Sequence, residues 1–290
     1  MISQLHFGIS NICNLKCKHC FVKNKKITFL NLDKFFLFFD ALERQGLTHI
    51  YYTYGEPLIN DNFFQISKYI ESKGIFQILM TNGVLIDKKM AEKIKESGIN
   101  RVMISLDSSI PEEHDINRGV KGTFTSAVKA IKLLLDNNVS VGIATTVMKS
   151  NYDQLYEIET LANSLGVTYI SFLAERQNGK VTLDLNEQYV SLFKKAVLED
   201  RDYYFHDERL IEILNKMYLN KEISIGRFNK YKNLNTCHIK RNLSLAPNGD
   251  IYKCNFINSK PILNINDNIP ISNMIEKIEK TCVKGCDFHG

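Results

Sequence analysis

Over the first part of the chain, short apolar runs alternate with longer stretches whose apolar residues recur every three or four positions. Runs at 4–10, 49–54, 76–81, 101–107, 140–148 and 167–173 have strand length and are rich in Ile, Val, Tyr and Phe, the pattern of half- or fully buried strands. Between them, 32–45, 62–72, 88–97, 123–137 and 152–165 carry apolar residues at helical spacing. Gly46, Gly74, Gly98, Asn138 and Gly166 stand where those helices should stop, the usual C-terminal punctuation. Strands alternating with helices of this length predict βα units, a parallel sheet and the α/β class. Six strands fit a partial barrel, and an open doubly wound sheet predicts nearly the same string. In either arrangement chemistry gathers at the carboxyl ends of the strands.

Past residue 180 the alternation stops. Segments 186–198 and 208–219 read as helices, and 226–235 as a polar, basic linker. Two alternating runs, 242–246 and 251–253, flank Pro247-Asn248-Gly249-Asp250, and Asn-Gly between such runs signals a hairpin. A short helix is expected at 271–280. The pattern thus predicts a core over 1–182, a helical linker over 183–235 and a small C-terminal unit over 236–290.

Composition changes this picture little. The 290 residues are 44% hydrophobic and 24% charged, as in ordinary soluble globular proteins. Net charge is +5, with both signs interspersed and no Lys/Arg-dense block, which argues against a nucleic-acid partner. A mild positive balance suits an acidic electron carrier, and a solvated surface explains it equally well. No signal segment precedes the first strand, and Phe35-Phe36-Leu37-Phe38-Phe39 is far too short to span a bilayer. A cytoplasmic protein without a membrane partner is expected.

The cysteines change it more. Cys13, Cys17 and Cys20 sit within eight residues, directly after the first strand. One tight loop can turn three such sulfurs toward a common point, and thiolates suit zinc or iron–sulfur clusters. Seven cysteines, odd in number and clustered, point to metal binding rather than a disulfide framework. A structural zinc loop or three unrelated buried thiols are the alternatives. Near the C-terminus the hairpin brings Cys254 toward Cys237, and Cys282 and Cys286 form a second pair. Four cysteines satisfy structural zinc, but zinc ribbons pair their ligands through C-x2-4-C, whereas sixteen residues separate the first pair here. His238 and His289 read as exposed neighbours of this site.

Several strands end in polar motifs. Tyr54-Gly55-Glu56-Pro57 follows the second, Thr81-Asn82-Gly83 the third, and Ser105 and Asp107 end the fourth on one face. Buried polar groups of that kind need partners. Beyond them come His114-Asp115-Ile116-Asn117-Arg118-Gly119, Thr145 and Thr146, and Glu175-Arg176 at the rim. Arg118 is a candidate for a carboxylate or substrate contact, with a surface salt bridge as the alternative.

The cysteine loop resembles the radical S-adenosylmethionine (radical SAM) superfamily, whose signature is C-x3-C-x-aromatic-C. His19 fills the aromatic slot, and Phe21 follows the last cysteine. The family commonly has Gly-Gly-Glu-Pro after strand two. Here Gly55, Glu56 and Pro57 match, while Tyr54 replaces the first glycine. A tyrosine cannot take the positive φ that glycine takes freely, and its phenol is instead a candidate to line the substrate cavity. The C-x11-G-x4-C spacing from Cys237 through Gly249 to Cys254 is similar to the entry of SPASM and twitch domains. The resemblance implies a partial (β/α)6 barrel with a small C-terminal Cys-rich hairpin-plus-helix domain. It implies a [4Fe–4S] cluster on Cys13, Cys17 and Cys20 whose fourth iron chelates S-adenosylmethionine. His19, Gly55, Glu56, Pro57, Asn82, Ser105 and Asp107 would line that cofactor. An auxiliary [4Fe–4S] cluster would sit on Cys237, Cys254, Cys282 and Cys286, with a flavodoxin- or ferredoxin-type electron donor. The implied reaction cleaves S-adenosylmethionine to a 5′-deoxyadenosyl radical, which abstracts hydrogen from the substrate.

Families with such an auxiliary cluster commonly act on ribosomally made peptides, or on aminosugars and nucleotides. Residues 114–124 and the C-x11-G-x4-C entry look most like the peptide-modifying group. Against this, the sequence shows no added N-terminal domain to grip a leader peptide. All seven cysteines are assigned to clusters, leaving none as a hydrogen-atom donor for epimerisation. The expectation is therefore oxidation or cross-linking of a peptide. Small-molecule dehydrogenation comes second, and a non-catalytic iron–sulfur or zinc scaffold third.

Overall fold

A computed structural model of the chain describes residues 2–20, 22, 26–177, 180–182, 184–207, 209–235, 242–253 and 260–281. Phe21, Cys237, His238, Cys254, Cys282, Cys286 and His289 lie outside the described residues, as does the expected auxiliary site they would form.

The chain begins with β1 (Gln4–Phe7), α1 (Leu32–Arg44), β2 (His49–Tyr52), a 3-10 turn (Pro57–Ile59), α2 (Phe63–Glu71), β3 (Phe76–Thr81) and α3 (Lys88–Glu96). It continues with β4 (Arg101–Ser105), α4 (Pro111–Arg118), α5 (Thr123–Asp136), β5 (Val141–Val147), α6 (Leu155–Ser164) and β6 (Tyr169–Ala174). β1 through β6 lie side by side in chain order, every neighbouring pair parallel. Helices α1, α2, α3, α5 and α6 pack on one face of the sheet. That face is the main core: Phe7 stacks on Phe35 with centroids 4.6 Å apart, and Tyr52 meets Phe63 edge-on at 5.0 Å. The opposite face carries His6, Tyr51, Ser105 and a smaller apolar cluster of Ile78, Met103 and Ala144.

After β6 come a small antiparallel pair, β7 (Arg176–Gln177) and β8 (Lys180–Val181), then α7 (Glu187–Glu199) and β9 (Tyr203–His206). β9 pairs in parallel with β6, inside the segment expected to be purely helical. Its alternation is only four residues long, with Tyr203 and Phe205 facing the core, too short to stand out in sequence. α8 (Leu210–Leu219) follows, and 225–235 forms α9 (Ile225–Asn235) rather than a linker. α9 is held by Phe228 and Tyr231, three positions apart and both buried, with the Tyr231 hydroxyl donating to the Ala196 carbonyl at 2.6 Å. Two apolar anchors among polar residues leave a faint pattern.

β10 (Asn242–Leu245) and β11 (Asp250–Tyr252) form the expected antiparallel hairpin, followed by β12 (Leu263–Asn264) and α10 (Ile271–Lys280). β10 also pairs in parallel with β1. Among the described residues the result is one ten-stranded, mostly parallel sheet in the order β12-β11-β10-β1-β2-β3-β4-β5-β6-β9. α10 packs against α1. No described helix is long and apolar enough to cross a membrane.

Candidate cofactor site at the carboxyl ends of the strands

Beyond β1 the chain makes a loop closed at its base by Asn11. Its side-chain amide donates to the Lys26 carbonyl at 2.8 Å, and its oxygen accepts from the Thr28 N–H at 2.9 Å. Leu15 is the loop's buried foot. Cys13 is exposed and Cys17 and Cys20 are half-buried, all three free thiols. Although the residue Cys13 is exposed, its sulfur lies against the loop, and that partial desolvation pushes the thiol up to about 11; the Leu15 N–H opposes this, while Glu56, Cys17 and Cys20 add to it. The Cys13 thiol feels Cys17 and Cys20, and Cys17 feels Cys20, so the three sulfurs share one locality. Burial also raises Cys17, so at neutral pH Cys13 and Cys17 hold their protons and a metal must displace them to bind. Among the described residues no three Cys, His, Asp or Glu side chains close around a single ion. The match to a cluster therefore lies in an all-thiol donor set on one loop.

The loop rests on the C-terminal end of α4. Lys16 and Lys18 N–H groups donate to the Arg118 and Asn117 carbonyls at 3.1 and 2.9 Å, acceptors that a helix end leaves free. Gly119 caps that helix at φ +72°, and a Cβ there would lie 2.5 Å from the Lys16 carbonyl oxygen. Gly119→Ala should therefore cost about 1–2 kcal/mol in backbone strain alone and lift the cysteine loop from its seat. Denaturant melts and iron content after reconstitution would read the two effects separately.

A second turn closes on the loop from β2. The Glu56 N–H donates to the Ile12 carbonyl at 2.7 Å, and a Cβ on Gly55 (φ +51°) would lie 2.2 Å from that same oxygen. Only glycine fits there. The Glu56 carboxylate is buried and accepts from the Thr81 hydroxyl (2.7 Å), the Asn82 N–H (2.9 Å) and the Leu58 N–H (3.2 Å). Burial raises its pKa and these donors oppose the rise. Glu56 thus splices the ends of β2 and β3. Asn82 reaches onward, donating to the Asn14 side-chain oxygen at 2.8 Å and lying 4.0 Å from Cys13 Sγ. Against the expectation for a tyrosine, Tyr54 adopts φ +63°, in the left-handed region. For a non-glycine residue that costs roughly 1–2 kcal/mol.

The third contributor is the end of β4. Asp107 is fully buried, with Oδ1 accepting from the Thr146 N–H at 3.0 Å and Oδ2 2.8 Å from Arg118 Nε. His19 Nε2 approaches the same oxygen at 3.9 Å. Burial alone would raise the Asp107 pKa, but Arg118 foremost, then His19 and His114, hold it below the usual carboxylate range. Burial lowers His19, partly offset by Asp107. Arg118, itself buried, also donates from Nη1 to Cys17 Sγ at 3.9 Å. One guanidinium therefore ties a cysteine of the loop to the carboxylate ending β4.

Residues 8–162, more than half of the chain, match the Radical SAM superfamily. The chain belongs to that superfamily. Radical SAM membership implies a [4Fe–4S] cluster and S-adenosylmethionine as cofactors. The chain is 33% identical over 184 residues to an Fe-coproporphyrin III synthase of Methanosarcina barkeri, covering 62% of this chain and 46% of that protein. It is 30% identical over 267 residues to the mycofactocin maturase MftC of Mycolicibacterium smegmatis, covering 87% of this chain and 64% of that one. It spans about half the length of several of the curated relatives it matches. The fold matches Streptococcus suis SuiB bound to its precursor peptide SuiA with a TM-score of 0.73 at 18% identity, over 93% of this chain and 64% of SuiB.

In this radical SAM chain, Cys13, Cys17, Cys20, His19, Gly55, Glu56, Pro57, Asn82 and Asp107 all lie where the first four strands end. Ser105 is half-buried on the open face of the sheet, where it pairs in register with Ala144. Thr145 is engaged elsewhere, donating to the Leu106 carbonyl at 2.8 Å. Arg118, weighed as a substrate contact or a surface ion pair, proves to be a buried strut under the cysteine loop. The missed signal was helical: Pro111 at the first turn, Glu112 and Glu113 behind it and Gly119 at the end mark α4.

Proposed function

We propose that Cys13, Cys17 and Cys20 hold the [4Fe–4S] cluster, that S-adenosylmethionine lies along Gly55, Glu56 and Pro57, and that the chain oxidises or cross-links a ribosomally made peptide. In this reading residues 1–182 form a partial barrel, 183–235 link it onward, and 236–290 carry an auxiliary [4Fe–4S] cluster on Cys237, Cys254, Cys282 and Cys286. When bound, the cluster and S-adenosylmethionine supply a carbon-centred radical that takes a hydrogen atom from the substrate. The chain's own residues hold and shield that chemistry. Arg118 orients Cys17, Glu56 fixes the turn against the loop, and Asn82 braces Asn14 beside Cys13.

One observation carries the peptide assignment: the likeness to a maturase covers 87% of the chain and so runs well beyond the superfamily's core match. The likeness to a porphyrin-modifying synthase favours small-molecule oxidation as the second reading. A flavodoxin or ferredoxin would deliver the electrons. Anaerobically reconstituted protein should hold about eight irons per chain. About half that iron, with zinc remaining, would instead assign zinc to the C-terminal cysteines. Incubation with a peptide encoded beside this chain should remove two hydrogens from it, read by mass spectrometry. Modification of a free sugar, nucleotide or porphyrin with peptides left unchanged would end the peptide reading.

A further inference from the structure

The strained residue of the cofactor turn has a companion. Gly8 continues β1 on the same face as His6, its N–H bonded to the Leu245 carbonyl at 3.1 Å. A Cβ built on Gly8 would lie 2.6 Å from Tyr54 Cβ and 2.9 Å from two atoms of its ring. The ring of Tyr54 therefore occupies the space that a side chain on β1 would fill. Glycine weakens a strand and tyrosine resists positive φ. This chain accepts both departures at once, and their joint effect is to lay one aromatic ring across the open face beside the cysteine loop. Strain held in this way concentrates at functional sites.

The surroundings show what such a ring would meet. Next to it on that face, His6 and Tyr51 stack with centroids 4.4 Å apart and planes 6° from parallel. Farther along lie Ile78, Met80, Met103 and Tyr169, members of the apolar cluster separate from the main core. Arg101 is spent over the Tyr169 ring, 4.1 Å from its centroid. His6 Nδ1 and Thr53 Oγ1 have no hydrogen-bond partner among the described residues. Thr53 stands opposite Gly8 by continuation of the β1–β2 register. Burial holds the His6 imidazole down near a pKa of about 4, so it is neutral at physiological pH. Aromatic and thioether groups favour a flat, uncharged guest, and a ring carrying its own O–H or N–H would answer one of the unpaired atoms.

We propose that Tyr54 selects the substrate, its ring forming one wall of a slot on the open face that receives an aromatic side chain. That this side chain belongs to a peptide rests on the reading above; the slot itself does not. The test uses reconstituted protein with S-adenosylmethionine and two side-chain analogues, 3-methylindole and p-cresol. The chain has no tryptophan, so indole emission reports the ligand alone. Tyr54→Gly should weaken binding of both analogues about fivefold or more, while Tyr54→Phe stays within about twofold of wild type. Gly8→Ala, which displaces the ring, should act like Tyr54→Gly. The Tm of Tyr54→Gly should fall by no more than a few degrees, because relief of strain offsets the lost ring contact, so lost binding would not reflect unfolding. Wild type that fails to bind either analogue, or Tyr54→Gly that binds them as wild type does, overturns the slot. If the slot behaves as expected but only small molecules are turned over, the peptide reading alone falls.

Discussion

Cys17→Ala should form no 5′-deoxyadenosine from S-adenosylmethionine and should lose the iron assigned to the N-terminal loop. Cys17 is tied to the end of β4 through Arg118 to Asp107. Removing it deletes a ligand and leaves the guanidinium without its sulfur. The loss should exceed the roughly 10–100-fold that removal of an outer-shell partner costs a metal site, and Cys13→Ala and Cys20→Ala should match it. Anaerobic turnover with chromatographic detection of 5′-deoxyadenosine decides the matter, and wild-type cleavage by Cys17→Ala would refute the ligand assignment. Far-UV circular dichroism should stay unchanged, because the loop lies outside the main core.

Arg118→Met should destabilise the chain by about 3–5 kcal/mol, the cost of stripping the partner from a buried charge. Asp107 is fully buried and would keep the Thr146 N–H and, more weakly, His19 and His114. Arg118→Lys should recover little, since an ammonium lacks the fork needed to reach carboxylate and thiol together. Asp107→Asn combined with Arg118→Met should regain much of the loss, because no uncompensated charge is left. The pair also sets a pH dependence. Asp107 is held below its ordinary pKa, so its contribution is complete above the normal carboxylate range and disappears as pH falls through the depressed folded value. Arg118→Met should flatten that acid limb in urea melts taken between neutral and acidic pH.

The strand–helix rhythm was legible because each of the first six strands packs its alternate residues into a thick apolar layer. The elements that escaped are those whose burial depends on a few residues. β9 shows only Tyr203 and Phe205, and α9 only Phe228 and Tyr231, so neither builds up a period. The site was legible where chemistry forces residue type: three thiols, a Gly-Glu-Pro turn, an Asn-Gly. It was not legible at Arg118, because nothing local says that a helix ending at Gly119 will turn its last side chain beneath a loop a hundred residues earlier. Nor did the sequence show that Tyr54 would accept the left-handed conformation, since the compensating vacancy is Gly8 on another strand.

The pairing of β1 with β10 has a consequence for how the molecule is made. β1 is an interior strand only because Asn242–Leu245 comes back to lie beside it. Synthesis delivers the cysteine loop long before the strand that closes its flank. Until then the backbone groups of Gln4–Phe7 face outward as a bare edge, the kind of surface that recruits other chains. Pairing across so much sequence is also slow, since the chain must surrender its loop entropy before any contact rewards it. A ribosome that stalls before residue 242 therefore holds a chain with its cysteine loop on display next to an aggregation-prone strand.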